Sequence, residues 1–180
     1  DIGVCTRGIW QFAHHNRDGD IIAIRSHKGG IIGDGRAKWY AQHLIYDYDY
    51  DKDWILAEGE KDFKTSFSRN GQVITGTCGA KSIPKNRDGN YDFSPFKYFT
   101  LNSNGYVAYD NDDSGKKYGL IIGQEIKKAY PSHNIFQIQW GDDCPDKFDI
   151  TDAYDEDASK GIKYMEAVMN AKRIKLPAIK

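Results

Sequence analysis

Cysteine is scarce in this 180-residue chain, and the little there is forms no pattern. Cys5, Cys78 and Cys144 are odd in number and widely spaced, which excludes a C-x-x-C zinc pair and an evident disulfide framework. Reduced thiols in an intracellular setting are the expectation. Long hydrophobic runs are also missing. No stretch approaches the roughly 18 apolar residues of a membrane span, and no signal-peptide pattern opens the chain, so no membrane partner is expected. Nor does one charge dominate. Lys and Arg number 25 against 26 Asp and Glu, a net charge of −1 that argues against a purely electrostatic nucleic-acid binder. Local basic patches beside an acidic site stay open, because net charge averages over both.

What is present suffices for a globular core: 39% hydrophobic and 28% charged residues, in a length suited to one domain or one domain with a small companion. The chain starts at Asp1 rather than a methionine and ends in the basic run Lys172-Arg173-Ile174-Lys175, which reads as a piece of something longer. Trp10 to His15 and Asp20 to Ser26 read as two strands joined by Arg17-Asp18-Gly19, a hairpin turn of the Asp-Gly type. Gly29 to Gly35 reads as a glycine-rich loop, and Ala37 to Ile45 as a strand or short helix. The charged stretch Asp47 to Asp53 has no core period and reads as an exposed connector. Three segments follow: 1–52, a small amino-terminal basic subdomain; 53–157, the main domain; and 158–180, a carboxy-terminal helix with a basic tail or linker.

From Trp54 onward strands alternate with helices. Short strands are expected at Trp54 to Ala57, Gln72 to Thr75, Tyr106 to Tyr109 and Ile135 to Trp140. Helices are expected at Asp62 to Arg69, packing Phe63 and Phe67, and after Pro95 within the ambiguous Tyr91 to Leu101. The clearest helix carries Tyr118, Ile122, Ile126 and Ala129 at helical spacing, with Lys127 and Lys128 in its last turn and Pro131 beyond. A final helix, Ser159 to Lys172, would place Ile162, Met165 and Met169 on one face. Such alternation implies an α/β fold with a mostly parallel sheet flanked by helices, preceded by a β-rich basic subdomain. In such sheets ligands gather at the carboxyl ends of the strands.

Two acid clusters fall at those ends: Glu58-Gly59-Glu60-Lys61-Asp62 and Asp110-Asn111-Asp112-Asp113-Ser114-Gly115. Hard cations such as Mg²⁺ take oxygen ligands and bridge one or two carboxylates to substrate phosphates. Asp110 and Asp112 form a D-x-D pair suited to that task, and Glu58 could serve as a further ligand or general base. The bland reading is a helix cap from Asp113 or Ser114 with solvated neighbours. An EF-hand fails, because position 12 of the loop would be Ile121 rather than Glu. A third acid run after Trp140 includes Asp149 and Asp152, spaced close to a capping box.

Glu58-Gly59-Glu60-Lys61-Asp62 at one strand end and Asp110-Asn111-Asp112 at a later one resemble the two motifs of the Toprim domain shared by primases, topoisomerases and some nucleases. Within it the chain looks most like the phage and organellar primase-helicase branch. Gly76-Thr77-Cys78-Gly79-Ala80, the D-N-D-x-x-G loop and the late Lys147…Asp149-Ile150-Thr151-Asp152 carry that likeness, as do the early Arg17-to-Ile22 hairpin and Lys38-Trp39-Tyr40. The resemblance implies RNA primer synthesis on single-stranded DNA from ribonucleoside triphosphates by two-metal nucleotidyl transfer, with Mg²⁺ or Mn²⁺ as cofactor. Carried over, Glu58, Asp110 and Asp112 are the central acids, and Asp62 and Asp149 further metal ligands. Phe148 separates Lys147 from Asp149, where the family has them adjacent. No cysteine-pair zinc module and no G-x-x-x-x-G-K-[ST] loop is present, so zinc-binding and helicase modules are expected elsewhere in a longer chain. A Toprim nuclease, or a nucleic-acid-binding module without catalysis, are the alternatives.

Basic residues are interleaved with rings in the amino-terminal part. Arg17, Arg25, Lys28 and Lys38, with Lys81 beyond, are candidates for contacting nucleotide or DNA phosphates, and neighbouring aromatics for stacking on bases. His14-His15 reads as no metal site, since adjacent strand residues face opposite ways.

Overall fold

The computed structural model of the chain describes residues 2–4, 10–26, 30–33, 39–77, 79, 81–154 and 166–176, with only the backbone at 2–4 and 10. Two sheets organise it. The first is antiparallel, in the order β1 (Ile2–Val4), β2 (Trp10–His15), β3 (Ile21–Ser26) and β4 (Ile31–Gly33). Asn16 makes the β2–β3 turn, its side-chain oxygen accepting from the backbone N–H of Asp18 and of Asp20, both at 2.9 Å. Gly19 lies in that turn at φ 91°, a conformation open to glycine. The segment read as a glycine-rich loop contains β4, because Ile31 and Ile32 pair with Arg25 and Ile24 of β3. Phe12, His14 and Ala23 are buried, whereas Ile24 and Ile32 are exposed on the other face.

The second sheet holds β6 (Gln72–Thr75), β5 (Trp54–Ala57), β7 (Asn104–Ala108), β8 (Asn134–Gln137) and β9 (Lys172–Arg173), in that spatial order. The first four are parallel, and β9 is antiparallel to β8. Helix α2 (Glu60–Phe67) links β5 to β6, and α3 (Asp113–Ala129) links β7 to β8. Strand β5 is buried along its whole length, as a parallel strand covered on both faces should be. Ile55, Ala57 and Val73 face one core with Phe63, Trp140, Phe148 and Ile150. Trp54, Leu56 and Ile74 face the other, with Phe96, Ile122, Ile126 and Ile135.

Several elements differ from the sequence reading. The stretch after Pro95 is a short 3-10 helix, Ser94–Tyr98, and α1 (Gln42–Ile45) is the short helix of the 37–45 segment. The connector's aspartates are exposed, yet it is tied down: the Tyr48 hydroxyl donates to the Val73 carbonyl at 2.6 Å. Phe67 is 41% exposed and lies stacked on buried Phe63, so only one of the two expected core rings of α2 is interior. In the last helix Ala167 is buried and Met169 is 83% exposed, the reverse of the expected face, and Ile162 and Met165 lie outside the described residues. The run read as a basic tail supplies β9, and Ile174 behind it is buried at 3% exposure.

The topology singles out one place. The chain moves from β5 outward to β6, then crosses back to β7 on the other side of β5 and on to β8. That reversal opens a crevice between the carboxyl ends of β5 and β7, where ligands of open α/β sheets bind.

Candidate metal centre

Glu58 follows β5 and Asp110 follows β7, so both acids stand at the crevice. The Glu58 carboxylate reaches across it, accepting from the Asp110 backbone N–H at 3.3 Å. Helix α2 then brings Asp62 over the same point, nearly buried at 5% exposure. Asp149 arrives from the other side as the N-cap of α4 (Ile150–Ala153), in a capping box with Asp152. One oxygen from each of Asp62, Asp110 and Asp149 lies within 4.8 Å of the others. Among the described residues this is the one such group of three or more potential ligands.

Electrostatics matches this crowding. Burial, then the charges of Glu58, Asp62, Asp149 and Asp112, pushes the Asp110 carboxyl up to about 8. Burial and Asp149 likewise raise Asp62, against a hydrogen bond from the Thr151 hydroxyl at 2.9 Å. Lys61 donates to Asp149 at 2.9 Å; burial is the largest single influence on its ammonium and lowers it, but that hydrogen bond and the charges of Asp149, Asp62 and Asp152 together hold it above the usual lysine value. A cation at the three oxygens would relieve the same repulsion. The donor set is all carboxylate, which suits a hard dication such as Mg²⁺ or Mn²⁺.

The D-x-D pair is divided. Asp112 is the N-cap of α3, accepting from the Gly115 N–H at 2.6 Å, and it stands outside the three-acid group. Alternation holds along a strand, but this chain is already turning into a helix at residue 112. Gly115 permits the tight entry: a Cβ there would meet the Asp110 carbonyl oxygen at 2.3 Å. The Lys147-Phe148 departure also has a structural account. Phe148 is buried against Trp140, its carbonyl accepts from the Asn111 N–H at 2.8 Å, and Lys147 turns outward at φ 61°. The loop therefore hangs from the D-N-D segment itself, and the lysine that pairs with Asp149 is Lys61.

The basic candidates disperse. Arg25 lines the acid cleft, which measures about 210 Å³ and is shared with Glu58, Lys61, Asp62, Asp110 and Asp149. Arg17 instead lies over the Tyr46 ring at 4.5 Å, and Lys81 over Tyr118 at 4.8 Å. Neither lines the cleft. Lys28 and Lys38 lie outside the described residues. Sequence reasoning missed Glu60, Lys61 and Thr151. Glu60 is buried, and burial alone would raise its carboxyl. The Arg25 guanidinium, which donates to both Glu60 oxygens, and the His14 ring 3.4 Å away together outweigh that and lower it. The sole sequence signal was the doubled acid of E-G-E-x-D, which does not say which carboxylate faces the crevice.

No family model matches the chain, and no curated protein sequence is similar to it. Solved structures are. The primase fragment of the bacteriophage T7 primase-helicase superposes with a TM-score of 0.59 at 18% identity, over 93% of this chain and 65% of that one. The catalytic core of DnaG gives 0.61 at 11% identity, over 92% of this chain and 54% of that one. A DNA primase domain from Pseudomonas aeruginosa gives 0.60 at 13%, over 96% and 57%. This chain thus spans less than two thirds of each of these three. At such identities the likeness is one of fold: the chain shares the overall fold of these primase fragments.

Proposed function

We propose that this chain is the RNA-polymerising core of a primase, joining ribonucleoside triphosphates on a single-stranded DNA template. The observation that carries the reading is the convergence of Asp62, Asp110 and Asp149 at the switch point of a primase-like sheet. Those three, with Glu58 bridging to Asp110, would hold Mg²⁺ or Mn²⁺. When bound, such ions acidify an attacking hydroxyl and neutralise charge on phosphate oxygens.

The chain's own groups set up that chemistry. The Thr151 hydroxyl fixes one oxygen of Asp62 and is itself within 3.1 Å of the Thr65 hydroxyl. Lys61 and the capping box fix Asp149. The Asp110 N–H fixes Glu58. Glu58 and Asp62 thus each spend one oxygen on orientation, and Asp149 is held at both of its oxygens, by Lys61 and the Asp152 N–H, which limits the reorganisation needed when phosphates arrive. Arg25, held by Glu60, presents a guanidinium on the cleft wall suited to a triphosphate.

The test is primer synthesis on single-stranded DNA with ribonucleotides and Mg²⁺ or Mn²⁺, comparing the chain with Asp110→Asn. We expect the variant to lose more than about 100-fold, beyond the effect typical of residues that merely orient a metal ligand. Full activity in Asp110→Asn would sink the reading. Nicking of DNA without nucleotides would move it to a Toprim nuclease.

A further inference from the structure

Beside the acid centre runs a second cleft that the chemistry above does not use. It measures about 530 Å³ and shares Phe12 and Lys61 with the acid cleft. Its remaining walls come from Lys64, Thr65, Ser68 and Arg69 of the α2 segment and from Thr151 of α4. Lys61, Lys64, Thr65 and Ser68 are spaced i, i+3, i+4, i+7, so they form one stripe along α2. Among the described residues three cations and no carboxylate line this stretch.

The track continues. A further cleft of about 400 Å³ shares Lys64 and Ser68 with it and adds Phe67, Phe63, His43 and Leu44. Phe67, 41% exposed, lies nearly parallel to Phe63 with ring centroids 5.4 Å apart, and the rings of His43 and His15 lie 4.5 Å apart. A ring pair with one open face is a platform for an unpaired base, and basic residues in a row track a phosphate backbone.

We infer that the outer face of α2 is a groove for one single strand of nucleic acid entering or leaving the acid centre. Lys64 and Arg69 meet its phosphates and Phe67 stacks a base. The occupant follows from charge complementarity, continuity with the acid cleft, and rings that suit unpaired rather than paired bases. The inference rests on the primase reading for the strand's purpose, but not for its binding.

The experiment measures binding of a fluorescent oligothymidylate by anisotropy at several salt concentrations, for the chain and for Lys64→Ala, Arg69→Ala and Phe67→Ala. Each basic variant should flatten the dependence of log affinity on log salt by about 0.7 per lost phosphate contact. Phe67→Ala should weaken binding about fivefold or more while leaving the salt slope unchanged. A blunt duplex of the same length should be insensitive to Phe67→Ala. If Arg69→Ala lowers the melting temperature, since Arg69 also donates to the Tyr154 carbonyl, Lys64→Glu replaces it. Unchanged slopes and affinities in these variants, or no binding of the strand by the unaltered chain at low salt, would overturn the groove. An unaltered chain that binds the strand yet joins no nucleotides would overturn the catalytic reading and leave the groove standing.

Discussion

Burial and four neighbouring carboxylates hold the Asp110 carboxyl up to about 8, against 3.8 when unperturbed. A carboxyl raised on folding contributes fully below its unfolded value, and that contribution is lost as pH climbs toward the folded value. The metal-free chain should therefore lose stability between about pH 4 and pH 8, a trend that melting temperatures in a chelator would reveal. Asp110→Asn removes one crowded charge, so it should flatten this trend while abolishing the response to Mg²⁺. Scale decides which effect dominates with metal present. At about 100 times its dissociation constant a ligand adds about 2.7 kcal/mol, a rise of about 5–10 °C for a chain of this size. Absence of any rise at millimolar Mg²⁺ would favour a module without catalysis.

At the level of elements, three helix starts do the positioning. Helices α2, α3 and α4 each begin at the crevice, and caps supply two of the acidic side chains, Asp112 and Asp149. Aspartate at an N-cap meets otherwise unpaired N–H groups and the favourable end of the helix dipole. Breaking the α4 capping box with Asp152→Ala should cost about 1 kcal/mol by denaturant unfolding. Mg²⁺ binding should weaken only slightly, because Asp149 loses the acceptor for its backbone N–H while its side chain keeps the Asp152 N–H and Lys61. Gly115→Ala tests the α3 entry. A Cβ at 2.3 Å from the Asp110 carbonyl oxygen forces backbone apart, costing about 1–3 kcal/mol and shifting Asp110. Calorimetry with and without metal separates the two effects.

The whole molecule depends on how its two sheets meet. Arg25 of β3 and His14 of β2 reach Glu60 at the start of α2, His14 at 3.4 Å and Arg25 through both carboxylate oxygens. Tyr40 and Phe12 add edge-to-face ring contacts beside this link. Glu60→Gln would remove the charge that Arg25 and His14 approach in a mostly buried place, at a cost of about 1–3 kcal/mol. Chemical denaturation should show that loss. The same variant should raise the KM for nucleotide more than it lowers kcat, since it weakens the positioning of Arg25 on the cleft wall rather than altering the acids.

The repeat of short apolar strands and amphipathic helices from Trp54 to Ala129 was legible, because parallel strands buried on both faces read as unbroken apolar runs. Both acid motifs could be placed at strand ends for the same reason. β4 and β9 were not legible: each is only two or three residues long, and while β4 pairs with the strand just before it, β9 exists through pairing with β8, distant in sequence. The amino acids by themselves determined which carboxylates exist and at which strand ends they emerge. Only the tertiary structure decided that Asp110 turns inward beside Asp62 and Asp149 while Asp112 caps a helix, and that Glu60 binds the other sheet. Side-chain direction past the end of a strand is set by what the next helix packs against, and that packing joins residues up to 89 positions apart.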